Sequence, residues 1–437
     1  MTRMESHVGV DVAHRRTVVP RRIPGGRGGE PDSRRVDVLV LDADQRQSLV
    51  SVRSLGRAGF KVGALECSTG APAFRSRYCA LTGLLPPHGT DLNPFVDALL
   101  EHVESARPRS IICTHDGTVE ALRSRREELE KHVCIALADA DALQVVVDKK
   151  RTLELAASLG IAIPRSVPVP NEGDLAAAVD QIGLPLVVKP VSSWARATER
   201  VSCAIAIDAR EARQAAEAIW SAGGGVILQE WVCGARVAIN LFRSGGRIVA
   251  RFAQVAHRMH PPLGGCSVVR ESIPLPPDAT EAAEKLVDAA GLDGYCEVEF
   301  RRDAAGRPVL MEINPRLSAS IELAVRSGVD FPLMLHAWSI GESVRESPGF
   351  RVGIRMRWLG GDLRWLRETL RTGGRPDVEP GLRAVWLFAS EFVRGSKYDY
   401  VSIRDPMPSV AAIAGFVRRL RELRGEEQLP VPDQWPA

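Results

Sequence analysis

Apolar runs and amphipathic stretches alternate through the first third of the chain. The apolar runs have the length and composition of buried strands, and the stretches between them repeat apolar residues at helical spacing. The predicted strands are residues 36–41, 61–65, 110–113 and 133–137, and the predicted helices are residues 45–58, 118–130 and 139–147. Strands that alternate with helices predict a parallel sheet with crossover helices.

After Asp148 the pattern changes to helices mixed with antiparallel strands. Residues 236–255 predict a hairpin that turns at Gly245-Gly246. The other predicted strands are residues 186–190, 226–229, 295–300 and 309–314, and the predicted helices are residues 149–159, 211–222 and 280–290. From about Arg345 the chain is rich in Arg and Trp, and we expect a C-terminal appendage with a strand at 354–359 and a basic helix at 409–426.

Composition and charge are those of an ordinary globular protein, and they remove several function classes. The 437 residues are 45% hydrophobic and 25% charged, with a net charge of +3. So small a surplus supplies no basic face for nucleic acid, and no apolar stretch approaches the ~20 residues of a membrane span. The turn after Leu41 lacks the GxGxxG pattern, which disfavours a dinucleotide enzyme.

The cysteines and the N-terminal residues indicate the compartment. Eight cysteines occur singly, without a CxxC pair, which is typical of reduced thiols in a cytoplasmic protein. The first 34 residues are polar and rich in Arg, Pro and Gly, so we expect a disordered basic tail rather than a secretory signal.

The two strands predicted between residues 295 and 314 carry the clearest chemistry. Because side chains alternate along a strand, Glu297 and Glu299 share one face of the first strand, and Glu312 and Asn314 share one face of the second. Folding the hairpin brings Glu299 near Glu312. Two carboxylates and an amide oxygen suit Mg²⁺, with Mn²⁺ as the second choice. The alternative is an outer sheet face whose acids are simply solvated.

These strands resemble the end of the ATP-grasp superfamily's C-terminal lobe, in which a Glu-Phe strand precedes a Glu-Ile-Asn-Pro-Arg strand. Other family positions occur in the same order over roughly residues 36–344. The matching segments are Asp148-Lys149, Val187-Val188-Lys189-Pro190, Gln229-Glu230-Trp231-Val232, Glu299-Phe300 and Glu312-Ile313-Asn314-Pro315-Arg316.

The resemblance implies an α/β fold with α+β lobes. A parallel-sheet pre-ATP-grasp domain would precede a two-lobed ATP-grasp domain and a small C-terminal appendage. The expected boundaries are residues 1–34 for the tail, 35–147 for the pre-ATP-grasp domain, 148–230 and 231–344 for the two lobes of the ATP-grasp domain (148–344), and 345–437 for the appendage.

The resemblance also implies an ATP- and Mg²⁺-dependent ligase. Such an enzyme phosphorylates a carboxylate to an acyl phosphate, couples it to an amine, and releases ADP and phosphate. The expected partners are small-molecule carboxylate and amine substrates, with no nucleic acid and no membrane, and a homodimer is left open. The alternatives are an ATP-grasp carboxylase or small-molecule kinase, and a nucleotide-binding regulatory protein without turnover.

For the nucleotide and the metal, the resemblance implies roles residue by residue. Lys149 and Lys189 would contact the α- and β-phosphates as point charges. The hinge-like segment would bind adenine, through Gln229 or Glu230 and through the backbone of Trp231 and Val232. The implied metal ligands are Glu299, Glu312 and Asn314.

Further residues are implied at the reacting groups and substrates. Arg316 would bind the γ-phosphate or the acyl phosphate, and Arg258 would be the basic residue of a loop beside the substrate. The predicted substrate contacts are Glu271 for a cationic amine, Ser318 and Ser320 for carboxylate or phosphate, and His115 and Asp116 past a strand's carboxyl end.

Two segments depart from the family pattern. Residues 191–196 contain no glycine, although the phosphate-covering loop of the family is usually glycine-rich. After the hinge, Gly234-Ala235-Arg236 stands where an acidic residue often grips the ribose. Both departures favour the regulatory alternative.

Overall fold

The computed structural model describes residues 34–89, 91–191, 203–262, 264–375 and 378–425. The predicted tail, apart from Arg34, lies outside the described residues, and so does the predicted phosphate loop apart from Val191. No helix in the described ranges is long and apolar enough to cross a membrane.

The N-terminal part is a five-stranded parallel sheet in the order β3-β2-β1-β4-β5. Val38 pairs with Val62 on one side and with Ser110 on the other, so the central strand is buried between its neighbours. The strands are β1 Val38–Val40, β2 Val62–Glu66, β3 Cys79–Leu84, β4 Ser110–Ile112 and β5 Cys134–Ile135, and the helices are α1 Arg46–Arg57, α2 Asn93–Ala106, α3 Asp116–Ser124, α4 Arg126–Leu129 and α5 Ala140–Val147. The predicted α/β class is confirmed.

Two details of this sheet differ from the expectation. The helix predicted over 118–130 is broken at Arg125, whose φ of −129° and ψ of 36° leave the helical region. The strand β3 and the helix α2 were not predicted. In β3 half-buried and exposed positions alternate and none is fully buried, because it is the edge strand.

A four-stranded antiparallel sheet follows, in the order β6-β9-β7-β8. Its strands are β6 Ser166–Val169, β7 Leu186–Pro190, β8 Ala204–Ala206 and β9 Val226–Glu230, with the helices α6 Lys149–Ser158, α7 Leu175–Ile182 and α8 Ala209–Ser221. Leu186, Val188 and Leu228 are fully buried and pack against α7 and α8. The helices cover one face, which leaves the polar residues of the other face for the cleft.

The largest sheet has seven strands in the order β14-β13-β10-β11-β12-β15-β16. Its strands are β10 Arg236–Ser244, β11 Arg247–His260, β12 Cys266–Ser272, β13 Gly294–Arg302, β14 Pro308–Asn314, β15 Arg355–Arg357 and β16 Lys397–Tyr398, with the helices α9 Pro277–Ala290, α10 Ile321–Ser327 and α11 Phe331–Ser339. The predicted hairpin is present between β10 and β11, and Gly245 and Gly246 turn it with φ of 58° and 80°.

The C-terminal segment adds the helices α12 Leu359–Arg371, α13 Gly381–Ser390 and α14 Met407–Gly425. Its two strands, β15 and β16, extend the edge of the large sheet rather than forming a sheet of their own. Buried ion pairs attach the segment to the rest of the molecule: Arg46–Asp399, Arg53–Asp405 and Arg258–Asp362. The domain boundaries stay a prediction.

Candidate functional site

The ribbon formed by β13 and β14 gathers the acidic residues on one face. Glu299 pairs directly with Glu312, and Glu297 pairs with Asn314, in the antiparallel register. The side chains between them, such as Val298 and Ile313, alternate to the opposite face and join the hydrophobic core. The acids therefore cannot turn away from one another without breaking the register.

A cleft of about 1140 Å³ lies over this acidic face. It is lined by residues from the ribbon, the four-stranded sheet and the C-terminal segment. These include Lys149, Lys189, Gln229, Glu230, Trp231, Val232, Arg236, Glu297, Glu299, Glu312, Asn314, Arg316, Trp358, Arg364, Glu368 and Arg375. The sequence places these residues up to 226 positions apart, and the fold collects them around one space.

The two predicted phosphate lysines both line the cleft. Lys189 is 6% exposed on β7, and its Nζ donates to Gln229 Oε1 at 2.9 Å. Burial, together with the charge of Lys149, lowers the pKa of Lys189 to about 8. Lys149 opens α6, where Asp148 caps the helix by accepting from two backbone amides. Asp148 thus caps the helix, and Lys149 beside it supplies a positive charge to the cleft.

The hinge-like segment at the end of β9 also reaches the cleft. Gln229 bridges Lys189 and Ser166, because its Nε2 donates to Ser166 Oγ at 2.9 Å. Glu230 pairs with Arg165 at 2.6 Å. The Trp231 ring lies 4.5 Å from the Arg301 guanidinium carbon, and this stacking fixes the wall of the cleft.

Arg316 and two serines complete the floor of the cleft. Arg316 binds Asp116 with both ends of its guanidinium fork, with Nη2 at 2.9 Å from Oδ2. Ser318 and Ser320 lie 2.9 Å apart, and Ser320 donates to Glu297 Oε1 at 3.3 Å. Asp116 thereby links the parallel sheet to the end of β14.

The paired carboxylates differ in their protonation behaviour. Burial raises the pKa of Glu299 well above its usual range, although Arg236 opposes this from 2.5 Å. Burial also disfavours the charged form of Glu312, but Lys149 and Arg236 outweigh it and lower the pKa. One member of the pair therefore holds a proton readily while the other stays ionised, so the ribbon is poised for an added cation.

Comparison with known proteins gives matches in sequence and in fold. Residues 226–361 match the family described as "ATP-grasp in the biosynthetic pathway with Ter operon". The D-alanine–D-alanine ligase of Pseudomonas putida is 26% identical over 217 residues, which are 46% of this chain and 66% of the ligase. The corresponding ligase of Chromohalobacter salexigens is 29% identical over 271 residues, covering 57% of this chain and 81% of that one.

Solved structures match over a longer span. N5-carboxyaminoimidazole synthetase from Staphylococcus aureus, complexed with ADP, superposes with a TM-score of 0.61 at 15% identity, covering 82% of this chain and 96% of that one. Biotin carboxylase from Campylobacter jejuni gives a TM-score of 0.58 at 15% identity, covering 74% and 75%. The chain therefore matches an ATP-grasp family in sequence over residues 226–361 and shares the ATP-grasp fold over most of its length.

The extent of these matches limits what they show. The chain covers just under two thirds of the Pseudomonas ligase, and the solved structures share only the ATP-grasp fold at such low identity. The matched family segment contains the hinge, the acidic ribbon and the start of α12. The match to the ATP-grasp family therefore falls on residues that line much of the cleft.

Arg258 is not brought into the ATP-grasp cleft, which corrects its predicted place beside the substrate. It is 6% exposed, and its Nε and Nη2 bind the two oxygens of Asp362 at 2.8 and 2.7 Å. Its guanidinium also stacks on Trp365 at 4.9 Å. The prediction missed this because Asp362 is 104 residues away in a segment without a recognisable motif.

Two other predicted substrate contacts lie away from the cleft lining. Glu271 binds His257 and Arg355, both at 2.9 Å, on the opposite side of β12 from the acidic face. His115 caps α3, where its Nδ1 accepts from the backbone amide of Gly117 at 3.2 Å. Of the other predicted residues, all line the cleft, and their catalytic roles stay predictions.

Arg236 and Trp358 line the cleft although neither was predicted from the sequence to do so. Arg236 was noted only as the absence of an acid, yet its Nη2 lies 2.5 Å from Glu299 Oε1. The period of two along β10 places Arg236 on the same face as Ala238, which pairs with Glu299, so the signal was present. Trp358 gave no signal, because it enters the cleft from the C-terminal segment.

Proposed function

We propose that this ATP-grasp protein is an ATP-dependent ligase that joins a carboxylate to an amine and releases ADP and phosphate. One observation carries the proposal: Glu299 faces Glu312 in a cleft that also holds Lys149, Lys189 and Arg316. A triphosphate has the charge to match three basic residues, and its oxygens share a metal ion with carboxylates. The sequence similarity to D-alanine–D-alanine ligases supports this reaction class.

The donor set of the ribbon fits Mg²⁺. Within the described ranges no three His, Cys, Asp or Glu side chains come together as a ready-made metal site. Mg²⁺ does not require one, since it keeps water and takes oxygens from phosphates. Glu312, Glu299 and the amide oxygen of Asn314 would hold it, and when bound it would neutralise the phosphate oxygens. Mn²⁺ fits the same oxygen donors.

The basic residues have separable tasks in this reaction. Lys189, held by Gln229 at the wall, would bind the α- and β-phosphates, and Lys149 at the start of α6 would add a second charge there. Arg316 is oriented by Asp116, so its fork would face the transferred phosphoryl group. No protein nucleophile is needed, because positioning and charge stabilisation supply the rate.

The floor of the cleft would orient the carboxylate substrate. Ser318 and Ser320 would donate to its oxygens while the γ-phosphate is transferred to it. The amine then attacks the acyl carbon of the acyl phosphate, the C–O bond to phosphate breaks, and the amine loses a proton. ATP is supplied in the cytoplasm, which is the compartment we propose. A homodimer stays a prediction.

A screen for ADP release tests the proposal. Carboxylates are crossed with amines in the presence of Mg-ATP, and the products are weighed by mass spectrometry. A ligase gives ADP only when both substrates are present, with an amide product that is lighter than their sum by one water. ADP release that needs bicarbonate but no amine would instead identify a carboxylase, and a phosphorylated product would identify a kinase.

Glu312→Ala is the control for the metal assignment. We expect near-total loss of turnover with an unchanged fold, because Glu312 is the ionised member of the acidic pair. Glu284→Ala is a matched control on α9, since Glu284 forms an ion pair with Arg251 outside the cleft lining. Full activity in Glu312→Ala would remove the metal site, and ATP binding without any turnover would favour the regulatory protein.

A further inference from the structure

Two buried arginines share a single carboxylate beside the cleft. Arg46, the first residue of α1, donates from Nη1 to Asp399 Oδ2 at 2.7 Å, and Arg270 of β12 donates from Nη2 to Asp399 Oδ1 at 2.6 Å. Arg46 is 4% exposed and Arg270 is 0% exposed. Two guanidinium cations and one carboxylate leave a net charge of +1 in a buried space, which is costly without another anion.

Each of these arginines has two nitrogens whose N–H groups have no acceptor among the described residues. Nε and Nη2 of Arg46, and Nε and Nη1 of Arg270, are buried and have no hydrogen-bond partner within the described part of the chain. Buried polar groups are nearly always paired, and guanidinium groups are among the strongest donors. Four unused donors around one excess positive charge indicate an anion that accepts several hydrogen bonds.

The arginine pair is one side-chain layer from the cleft. The Trp358 ring lines the cleft, and its centre is 4.1 Å from the Arg46 guanidinium carbon. Arg270 lies on the same face of the large sheet as Gln254, which donates to Glu297 Oε1 at 3.1 Å. Three strand spacings, about 14 Å, separate β12 from the acidic strand β13. A small substrate spans that distance.

We propose that Arg46 and Arg270 form a subsite for a carboxylate of the substrate that does not react. This rests on the proposed ligase function and narrows its substrates. The amine substrate is an amino acid with a free carboxylate, or the carboxylate substrate is a dicarboxylic acid. A carboxylate matches the two guanidinium forks in shape and cancels the excess charge. The Trp358 ring must move aside to admit it.

A third buried arginine shows what a purely structural pair looks like in this protein. Arg53 lies two turns after Arg46 on α1, is 3% exposed, and also binds an aspartate of the C-terminal segment, Asp405. Its Nη2 donates to the carbonyl oxygens of Tyr400 and Asp405 at 2.9 and 2.8 Å, and within the described residues none of its nitrogens is both buried and without a hydrogen-bond partner. Arg53 is therefore the matched control for Arg46.

The experiment compares free acids with their amides. Calorimetric titrations in the presence of Mg-ADP use amino acids with the corresponding amino-acid amides, and C3–C6 dicarboxylic acids with their monoamides. The proteins are the wild type, Arg46→Gln, Arg270→Gln and Arg53→Gln, each checked for folding by circular dichroism. Arg46 lies on α1 and not on the seven-stranded sheet, so Arg46→Gln still tests the subsite if Arg270→Gln fails to fold.

The expected result is a preference for acids that depends on two arginines only. One acid should bind the wild type at least about 30-fold more tightly than its amide. The ratio should fall below about threefold in Arg46→Gln and Arg270→Gln, and should persist in Arg53→Gln despite a lower melting temperature. Which set of acids binds distinguishes the amino acid from the dicarboxylic acid.

Several results would overturn the subsite: no acid binds, acids and amides bind equally to the wild type, or the preference survives in both Arg46→Gln and Arg270→Gln. The subsite and the ligase can fail separately. Acid-selective binding without ADP release in any pairing contradicts only the ligase. ADP release with no preference for acids over amides contradicts only the subsite.

Discussion

The acidic ribbon and the helix α12 both line the cleft, but different kinds of contact hold them in place. In the ribbon, Glu297 and Asn314 are paired by a short hairpin, and strand register alone fixes their face. The helix α12 is positioned by Asp362, which is 0% exposed and binds Arg258 of β11 and Arg357 of β15. Site residues that lie within one hairpin can be predicted from the sequence, whereas a helix that is positioned by ion pairs between distant residues cannot.

The buried charges of the ribbon and those around Asp362 serve different purposes. In the ribbon, two buried carboxyl groups face one another and only one of them is readily ionised, so the burial favours an added cation at the expense of stability. Around Asp362, opposite charges are already paired, so burial fixes the C-terminal segment against the sheet. If this division is right, substitutions at α12 change the stability and those at the lysines and the ribbon change catalysis.

Asp362→Asn should give the largest effect on stability. It leaves Arg258 and Arg357 buried with less opposing charge, so we expect the free energy of unfolding to fall by about 3–5 kcal/mol. Chemical denaturation at pH 7 measures it. Glu379→Gln removes an exposed pair with Arg383 in the same segment and should cost about 0.5 kcal/mol or less. If Asp362→Asn left the unfolding curve unchanged but raised the KM for ATP, the prediction would be contradicted, and α12 would act in substrate binding rather than in stability.

Lys189→Met should weaken ATP binding by about 100-fold, since one charge-assisted contact to phosphate contributes about 2–3 kcal/mol. Lys150→Met is the control, because Lys150 is one residue beyond Lys149 but is exposed, and among the described residues its ammonium group pairs with Glu154. Calorimetry with the non-hydrolysable β,γ-imido analogue of ATP separates binding from turnover. Equal affinity of Lys189→Met and wild type would place the triphosphate elsewhere.

The features that could be predicted from the sequence are those set by local motifs, and the features that could not are those set by contacts between distant residues. The ribbon, the lysines and the hinge were readable, because each is a short motif whose side-chain direction follows from strand periodicity. Arg258 was misplaced because its partner Asp362 is distant and unmarked. The strand β12 was also unpredicted, and so was its pairing with β15, which joins residues 84 to 88 positions apart. Long-range pairing, not local pattern, is what the sequence conceals.

Arg236→Met should sharpen the description of the ribbon. In the wild type, a cation that binds Glu299 must displace the Arg236 guanidinium, which lies 2.5 Å away. Without that competitor we expect nucleotide-free protein to bind Mg²⁺ about tenfold more tightly, by roughly 1.4 kcal/mol. Thermal melts over a range of Mg²⁺ concentrations measure this, since a ligand of the folded state raises the melting temperature. A Mg²⁺ response equal to that of the wild type would mean that Arg236 and the metal do not compete.

The smallest predicted effect is a pH dependence of nucleotide affinity that comes from Lys189. Its pKa of about 8 in the nucleotide-free protein means that the ammonium form is lost as the pH rises through 8. A bound triphosphate stabilises the charged form and raises this pKa again, so binding above pH 8 takes up a proton. If only the charged form binds, the affinity for ATP falls about eightfold between pH 7.5 and 9, a range above the last phosphate ionisation near pH 6.

In Lys189→Arg the charge persists throughout this range, so the affinity should not change with pH if the guanidinium is accommodated. Titrations in two buffers of different ionisation enthalpy count the proton directly. If the ATP affinity of the wild-type protein did not change with pH and no proton were taken up, the buried Lys189 would not contact the phosphates. The phosphate contacts would then have to come from Lys149 and Arg316.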